Sequence, residues 1–193
     1  MLRKIMGTLA ATALLSTTAT SVSANSIEEI KKRAAEINEL KALVQSADPA
    51  LRLAAIDTMQ NSDDLAMREL AFSAGVNASD ESVVALTIRN KFSELDNFIV
   101  SFNSQPDSEE AKTIYQKIGG RLNVKIKQYN KEKGVFINNT NYSNSTGESS
   151  LSGLNLFLGT RYCHGHLRLA DDLLFKGTIT CEKQQFPATI SIF

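Results

Sequence analysis

The chain has 193 residues, and its 21 lysines and arginines balance its 21 aspartates and glutamates. A balanced charge gives no basic surface of the kind that binds nucleic acid, so we predict no nucleic-acid partner. The length allows one sizeable core or two modest ones, and a change in composition near residue 105 favours two.

The first 24 residues are typical of a secretory signal sequence. Arg3 and Lys4 precede an apolar run from Ile5 to about Leu15, and small residues then lead to Ala24. The apolar run is too short to cross about 30 Å of hydrocarbon, so we predict cleavage after Ala24 and no membrane span. The protein is therefore expected in the periplasm or outside the cell.

A helix is predicted over residues 26–46. Ser26 and Glu29 have the spacing of a capping box, in which each side chain binds the free backbone N–H of the other residue. Apolar residues follow at helical spacing, namely Ile27, Ile30, Ala34, Ile37 and Val44. This apolar face must be covered, either by the helices that follow or by a second copy of the chain. An oligomer formed through residues 26–46 is therefore one hypothesis.

The next part of the chain repeats with a period of sixteen residues. The stretches "ADPALRLAAI", "DDLAMRELAF" and "SDESVVALTI" bring Asp48, Asp64 and Asp80 into register. An aspartate before a helix accepts hydrogen bonds from its free N–H groups, so three short helices are predicted after these aspartates. Each helix has one apolar stripe and is stable only when stacked on the others. The third helix is predicted to continue through residues 89–102.

The stretches "DPALRLAA" and "DDLAMRELA" resemble the helices of HEAT-type repeats, which open with Asp and carry Arg beside small and apolar residues. Arg52 and Arg68 match that Arg, whereas Val84 stands at the third position. The resemblance covers residues 47–92 and implies a helical-repeat domain, predicted over 25–102, that presents a binding surface. HEAT units are helix pairs of about 40 residues, so the chain has room for a short stack only.

A linker is predicted over residues 103–112, and an antiparallel β domain over 113–193. Apolar and polar residues alternate in "LNVKIKQY", "GVFIN", "SGLNLFLGT", "YCHGHLRL", "LLFKGTITC" and "ATISIF". Short alternating runs between turn residues predict a small antiparallel β-sandwich or partly open barrel, so the predicted fold class is α+β. Lysines crowd residues 125–133, which favours a solvated edge strand over an anion-binding patch.

Residues 138–150, "NNTNYSNSTGESS", are almost wholly polar and turn-forming. This composition predicts a mobile loop. Contact with sugars is a second, less specific interpretation of the same run.

Both cysteines and both histidines lie in "RYCHGHLRLADDLLFKGTITC", as Cys163, His164, His166 and Cys181. Thiolates and imidazoles are the usual ligands of zinc, and four of them make a closed site. In a strand, however, Cys163 faces away from His164 and His166, because successive side chains point to opposite faces. We therefore predict no metal site.

The same stretch predicts a disulfide-bonded hairpin. Folding it around residues 171–173 places Leu169 opposite Phe175 and Cys163 opposite Cys181, a spacing that permits a disulfide. The register leaves a polar face made of His164, His166, Arg168, Lys176, Thr178 and Thr180. An ordinary solvated surface is the favoured interpretation of this face. The alternative is that His164 and His166 hold a surface metal weakly or contact an anionic or sugar ligand.

The sequence contains no Gly-x-Ser-x-Gly, His-Glu-x-x-His or phosphate-loop motif. We therefore predict no catalytic residue and no cofactor. The favoured hypothesis is a non-enzymatic binding or protein-interaction module whose partner is an envelope protein, a secreted protein or a cell-wall glycan. The alternative is a small secreted hydrolase or sugar-binding protein that uses His164 and His166.

Overall fold

The computed structural model describes residues 21–103 and 106–192 of the chain. The chain divides into two compact units, residues 1–39 and 40–193. Among the described residues, four helices come first, and a closed antiparallel barrel with one inserted helix follows. The predicted α+β class, with helices before the β-structure, is confirmed.

The first helix, α1 (Ser21–Val44), begins upstream of the predicted start at Ser26. The residues just before Ser26 include no proline or glycine, so nothing in them stops the helix. Residues 1–20 of the predicted signal sequence lie outside the described residues, and its cleavage stays a prediction. No helix in the described part of the chain is long and apolar enough to cross a membrane.

Three short helices follow, and each begins after an aspartate as predicted. They are α2 (Pro49–Gln60), α3 (Leu65–Val76) and α4 (Glu81–Phe92). Three aspartate side chains accept a hydrogen bond from the backbone N–H two residues later, at 2.8 to 2.9 Å. These residues are Asp48, Asp64 and Asp80. The period of sixteen in the sequence is therefore the spacing between helix caps.

Arg52 and Arg68 make equivalent contacts in α2 and α3. The guanidinium of Arg52 donates to the carbonyl oxygen of Ser46 at 2.6 Å. That of Arg68 donates to the carbonyl oxygen of Ser62 at 2.8 Å. Each arginine thus ties its helix to the turn that precedes it. Membership of a HEAT-type repeat stays a prediction.

The prediction that the third helix continues through residues 89–102 is wrong. α4 ends at Phe92, and residues Asn97–Phe102 form strand β1. Phe98, Val100 and Phe102 are buried while the residues between them are exposed, which is the period of a strand. Residues 97–102, assigned from the sequence to the helical domain, are therefore part of the barrel.

A further helix, α5 (Glu109–Ile118), connects β1 to β2. It begins inside the predicted linker, at the N-cap Ser108, whose hydroxyl accepts from the backbone N–H of Ala111 at 3.2 Å. It ends at Gly119, which has a φ of 77° and so suits the left-handed end of a helix.

Eight antiparallel strands close into a barrel, in which each strand pairs with its sequence neighbours and β1 pairs with β8. The strands after β1 are β2 (Arg121–Asn130), β3 (Val135–Thr140), β4 (Ser143–Ser152), β5 (Asn155–Gly159), β6 (Cys163–Leu169), β7 (Phe175–Cys181) and β8 (Gln184–Ser191). The sheet is neither a sandwich nor partly open, because β1 fills the place between β2 and β8. For the same reason β2 is not the edge strand that its lysines suggested.

The prediction of a mobile loop at residues 138–150 is wrong. These residues complete β3, make a turn at 141–142 and form most of β4. Two polar side chains of this hairpin, Asn138 and Ser149, are fully buried, and the Asn138 amide donates to the Ser149 hydroxyl at 2.8 Å. The hairpin thus provides partners inside the barrel for the Asn138 amide N–H groups and for the Ser149 hydroxyl, which also accepts from the backbone N–H of Gly159 at 2.9 Å.

Side chains fill the barrel interior. The rings of Phe136, Phe175 and Phe186 are fully buried there. Phe92 of α4 closes one end, with its ring centroid 5.8 Å from that of Phe136 and 6.1 Å from that of Phe175. Because the strands alternate in direction, the other end carries α5 and the turns at 141–142, 160–162 and 182–183. The two ends are named the α4 end and the α5 end.

Candidate functional site

β6 and β7 form the predicted hairpin in the predicted register. Cys163 lies opposite Cys181, and Leu169 lies opposite Phe175. The two cysteines form a disulfide with their Cα atoms 4.1 Å apart, buried inside the barrel. Both the disulfide and the register are confirmed.

The polar face predicted from this register lies on the outer surface of the barrel. Its members are exposed or half-buried, namely His164, His166, Arg168, Lys176, Thr178 and Thr180. The cysteines point inward and are already bonded to each other. They therefore cannot join the histidines around one metal ion.

The two cations of the polar face already have anionic neighbours. The guanidinium of Arg168 donates to the carboxylate of Glu81 at 3.1 Å. The ammonium of Lys176 pairs with the carboxylate of Asp172 at 2.5 Å. An anionic ligand at this face would have to compete with both carboxylates.

A second group of side chains with the chemistry of a binding site lies at the α5 end. This group, named the tyrosine cluster, comprises Lys117, Tyr142, Arg161, Tyr162 and Glu182. Lys117 belongs to α5, and the others belong to the three turns of that end. Lys117 and Glu182, 65 positions apart, are in direct contact. No sequence pattern predicted this cluster.

Tyr142 lies at the centre of the tyrosine cluster. Its hydroxyl donates to the carboxylate of Glu182. The ammonium of Lys117 lies 5.2 Å from the centroid of the Tyr142 ring and 3.2 Å from the same carboxylate. The hydroxyl, carboxylate and ammonium groups therefore hold one another in place.

Tyr162 and Arg161 form the exposed side of the tyrosine cluster. The Tyr162 ring meets the Tyr142 ring edge to face, with centroids 5.7 Å apart, and Tyr162 is 47% exposed. The guanidinium carbon of Arg161 lies 5.9 Å from the Tyr162 centroid. Arg161 makes no ion pair within the described residues. An exposed aromatic ring and a cation open to a ligand thus stand side by side.

The disulfide fixes two of the turns that carry the tyrosine cluster. Tyr162 directly precedes Cys163, and Glu182 directly follows Cys181. The backbone N–H of Glu182 also donates to the carbonyl oxygen of Tyr162 at 3.1 Å. The covalent link therefore limits the separation of the two turns.

The turn that carries Glu182 has an unusual backbone. Glu182 and its neighbour Lys183 have φ values of 46° and 74°. Two left-handed residues suit a two-residue hairpin, but side chains other than glycine, asparagine or aspartate are costly there. Backbone strain of this kind concentrates at functional sites. The turn therefore supports a functional role for the residues it carries.

The electrostatics keep Lys117 and Glu182 charged. The Tyr142 hydroxyl and the Glu182 carboxylate beside Lys117 raise the pKa of that ammonium. The hydrogen bond from Tyr142, with the ammonium of Lys117, lowers the pKa of the Glu182 carboxyl. Partial burial raises the pKa of the Tyr142 hydroxyl. The pair is consequently ionised and Tyr142 neutral throughout the physiological range.

Two weak features of the sequence point to the tyrosine cluster once the fold is known. Tyr142 is the one aromatic residue in the polar run 138–150, and Tyr162 is next to a disulfide cysteine. Neither feature reveals that the two rings meet, because their contact depends on how the barrel closes.

Comparisons with protein-family models, with curated proteins and with solved structures find no match to this chain.

Proposed function

We propose that this protein is a secreted or periplasmic non-enzymatic binding module that contacts its partner at the tyrosine cluster. The observation that supports this proposal most is the exposed Tyr162 ring beside Arg161, which makes no ion pair within the described residues. Tyrosine and arginine dominate binding sites because they offer large contact areas and several donors. A site whose turns are already held in place loses little entropy when a partner binds.

The proposed location has two supports. Residues 1–24 have the pattern of a secretory signal, and the protein contains a disulfide. Disulfides persist mainly in oxidising compartments such as the periplasm and the extracellular space. The partner is accordingly an envelope protein, a secreted protein or a cell-wall glycan.

The filled barrel supports contact at the surface. Barrels that carry a small ligand inside leave room between their side chains, whereas here the phenylalanine rings occupy the centre. Oligomer formation through residues 26–46 stays a separate hypothesis, supported by the exposure of Ile27 and Ile30.

A second candidate site is the polar face of the β6–β7 hairpin. The ring of His166 lies 5.0 Å from the ring of Phe157 on the outer surface, which offers a small aromatic platform. A sugar-binding protein or a small hydrolase that uses His164 and His166 would work there.

The test compares single substitutions in the two sites. Tyr162→Ala removes the exposed ring without removing a hydrogen bond of the described structure, and should reduce capture of envelope or wall material about tenfold. Tyr162→Phe keeps the ring and should retain capture. The purified variants would be measured by pull-down from envelope extract and by sedimentation with insoluble wall.

The matched control is the pair His164→Ala with His166→Ala, which alters the polar face alone. We expect it to bind like the unmodified protein. If the histidine variant loses capture and Tyr162→Ala keeps it, the binding site is the polar face and not the tyrosine cluster.

A further inference from the structure

We propose that the tyrosine cluster binds a carbohydrate that carries carboxylate groups, an inference that rests on the proposed binding function. A sugar ring has an apolar face of C–H groups that packs on an aromatic ring, and hydroxyl groups that need donors and acceptors. Tyr162 supplies the exposed aromatic surface, and Glu182 and Lys117 supply an acceptor and a donor beside it.

The chain that directly follows Tyr142 is polar and uncharged. The turn that carries Tyr142 continues into Ser143, Asn144 and Ser145, of which the last two are exposed. Amide and hydroxyl groups of this kind match the hydroxyl groups of a sugar, since each can both donate and accept.

A protein partner fits the tyrosine cluster less well. The buried centre of a protein interface is depleted in lysine, glutamate and serine, which are residue types found in this cluster or beside it. The exposed large hydrophobic residues of the described structure are Ile27, Ile30, Leu43, Leu51, Leu65, Ile99 and Tyr162. Tyr162 alone among them belongs to the tyrosine cluster, which therefore contains no exposed large aliphatic side chain.

The charges at this end select an acidic sugar. Lys117 is neutralised by Glu182, whereas Arg161 and Lys183 make no ion pair within the described residues. Both are exposed. A guanidinium binds a carboxylate with two parallel hydrogen bonds, so Arg161 next to the Tyr162 ring fits a sugar that presents a carboxylate at its edge.

The experiment measures binding of the purified protein to oligogalacturonate, alginate and hyaluronan, each paired with the same polymer after chemical reduction of its carboxyl groups. We expect binding to at least one acidic polymer and at least about tenfold weaker binding to its reduced form. Arg161→Gln and Tyr162→Ala should each weaken binding by a similar factor. Lys127→Gln, which removes an exposed charge from β2, should change the affinity less than about twofold.

The outcomes separate this inference from the function on which it rests. Equal binding to intact and reduced polymers would overturn the role of the carboxylate. If the protein binds none of the three polymers but its capture of envelope material still depends on Tyr162, the proposal of a carbohydrate ligand is wrong and the proposed binding function stands. If capture does not depend on Tyr162 either, both are wrong.

Discussion

At the scale of single residues, Glu182 shows how one side chain unites distant parts of the chain. Its carboxylate contacts the hydroxyl of Tyr142 and the ammonium of Lys117, and its backbone N–H contacts Tyr162. It achieves this from a left-handed conformation that glycine or asparagine would adopt at lower cost. The two-residue turn requires this conformation, and the Glu182 side chain then contacts Tyr142 and Lys117 from it.

The first prediction concerns Glu182→Gln. Tyr142 and Lys117 hold the pKa of the Glu182 carboxyl below its ordinary value of 4.5. The carboxylate therefore stabilises the folded state above the unfolded pKa, and this stabilisation is lost as the pH falls through the folded pKa. The variant should have a lower Tm than the original protein at neutral pH, and the difference should shrink on acidification.

Circular dichroism melting curves between neutral and acidic pH measure this difference. Glu132→Gln is the control, because Glu132 lies exposed in the turn at the α4 end and makes no side-chain hydrogen bond or ion pair within the described residues. A Tm difference for Glu182→Gln that is independent of pH would show that the carboxylate charge contributes nothing.

At the scale of elements, polar contacts join α4 to its neighbours. The hydroxyl of Tyr129 in β2 donates to the carbonyl oxygen of Arg89 at 3.0 Å. The amide of Asn90 donates to Asp57 and to Gln60, each at 3.0 Å. These bonds tie α4 to the barrel on one side and to α2 on the other. Burial strengthens these hydrogen bonds, and it also increases the free energy lost when one of them is broken.

The second prediction concerns Tyr129→Phe at alkaline pH. Burial raises the pKa of Tyr129 to about 12, against 10.0 for a free tyrosine. Between these values the unfolded chain loses the proton while the folded chain keeps it, so stability falls as the pH rises. Solvent partly screens the half-exposed Tyr129 hydroxyl, so we expect the free energy of unfolding to fall by about 1 kcal/mol over this pH range. The Tyr129→Phe variant has no phenol to titrate and should not show this fall.

Urea unfolding near pH 8 and near pH 11 tests the prediction. At the lower pH the variant should be less stable by about 1 kcal/mol, the value of the lost hydrogen bond. At the higher pH the two proteins should have equal free energies of unfolding. Tyr115→Phe serves as the matched control, and a parallel response of both variants to pH would exclude a special role for Tyr129.

At the scale of the whole molecule, the barrel is closed by hydrogen bonds between β1 and β8 and reinforced by one disulfide. The disulfide joins residues separated by 18 positions and lies between neighbouring strands. It thus supports the α5 end of the barrel, where the tyrosine cluster is built. The α4 end is closed by the Phe92 ring instead.

The third prediction concerns Cys163→Ala with Cys181→Ala. Loss of a disulfide across a loop of this length should lower the free energy of unfolding by about 2 to 4 kcal/mol, because the unfolded chain gains freedom. Urea unfolding measures the loss, and intact mass with and without reductant verifies the bond in the original protein. The reduced original protein should match the variant. An unchanged free energy of unfolding would show that the hairpin needs no covalent link.

The features that could be predicted from the sequence are those that depend on residues close together in the chain. The three helix caps depend on residues two positions apart, and the β6–β7 register depends on alternation within a single hairpin. Both are local, so Asp48 and Cys163 could be assigned from the sequence. Residues 97–102 were assigned wrongly, because a short apolar run suits either a helix or a strand until its partners are known.

By itself, the sequence determined the helices after Asp48, Asp64 and Asp80, the alternation of the strands and the disulfide between Cys163 and Cys181. Each of these follows from side-chain chemistry and from periods of a few residues. Only the tertiary structure decided that β1 closes the barrel and that Lys117, Tyr142, Tyr162 and Glu182 meet at its α5 end. Their contacts join segments up to 65 positions apart, and no local pattern records which turns a closed barrel brings together.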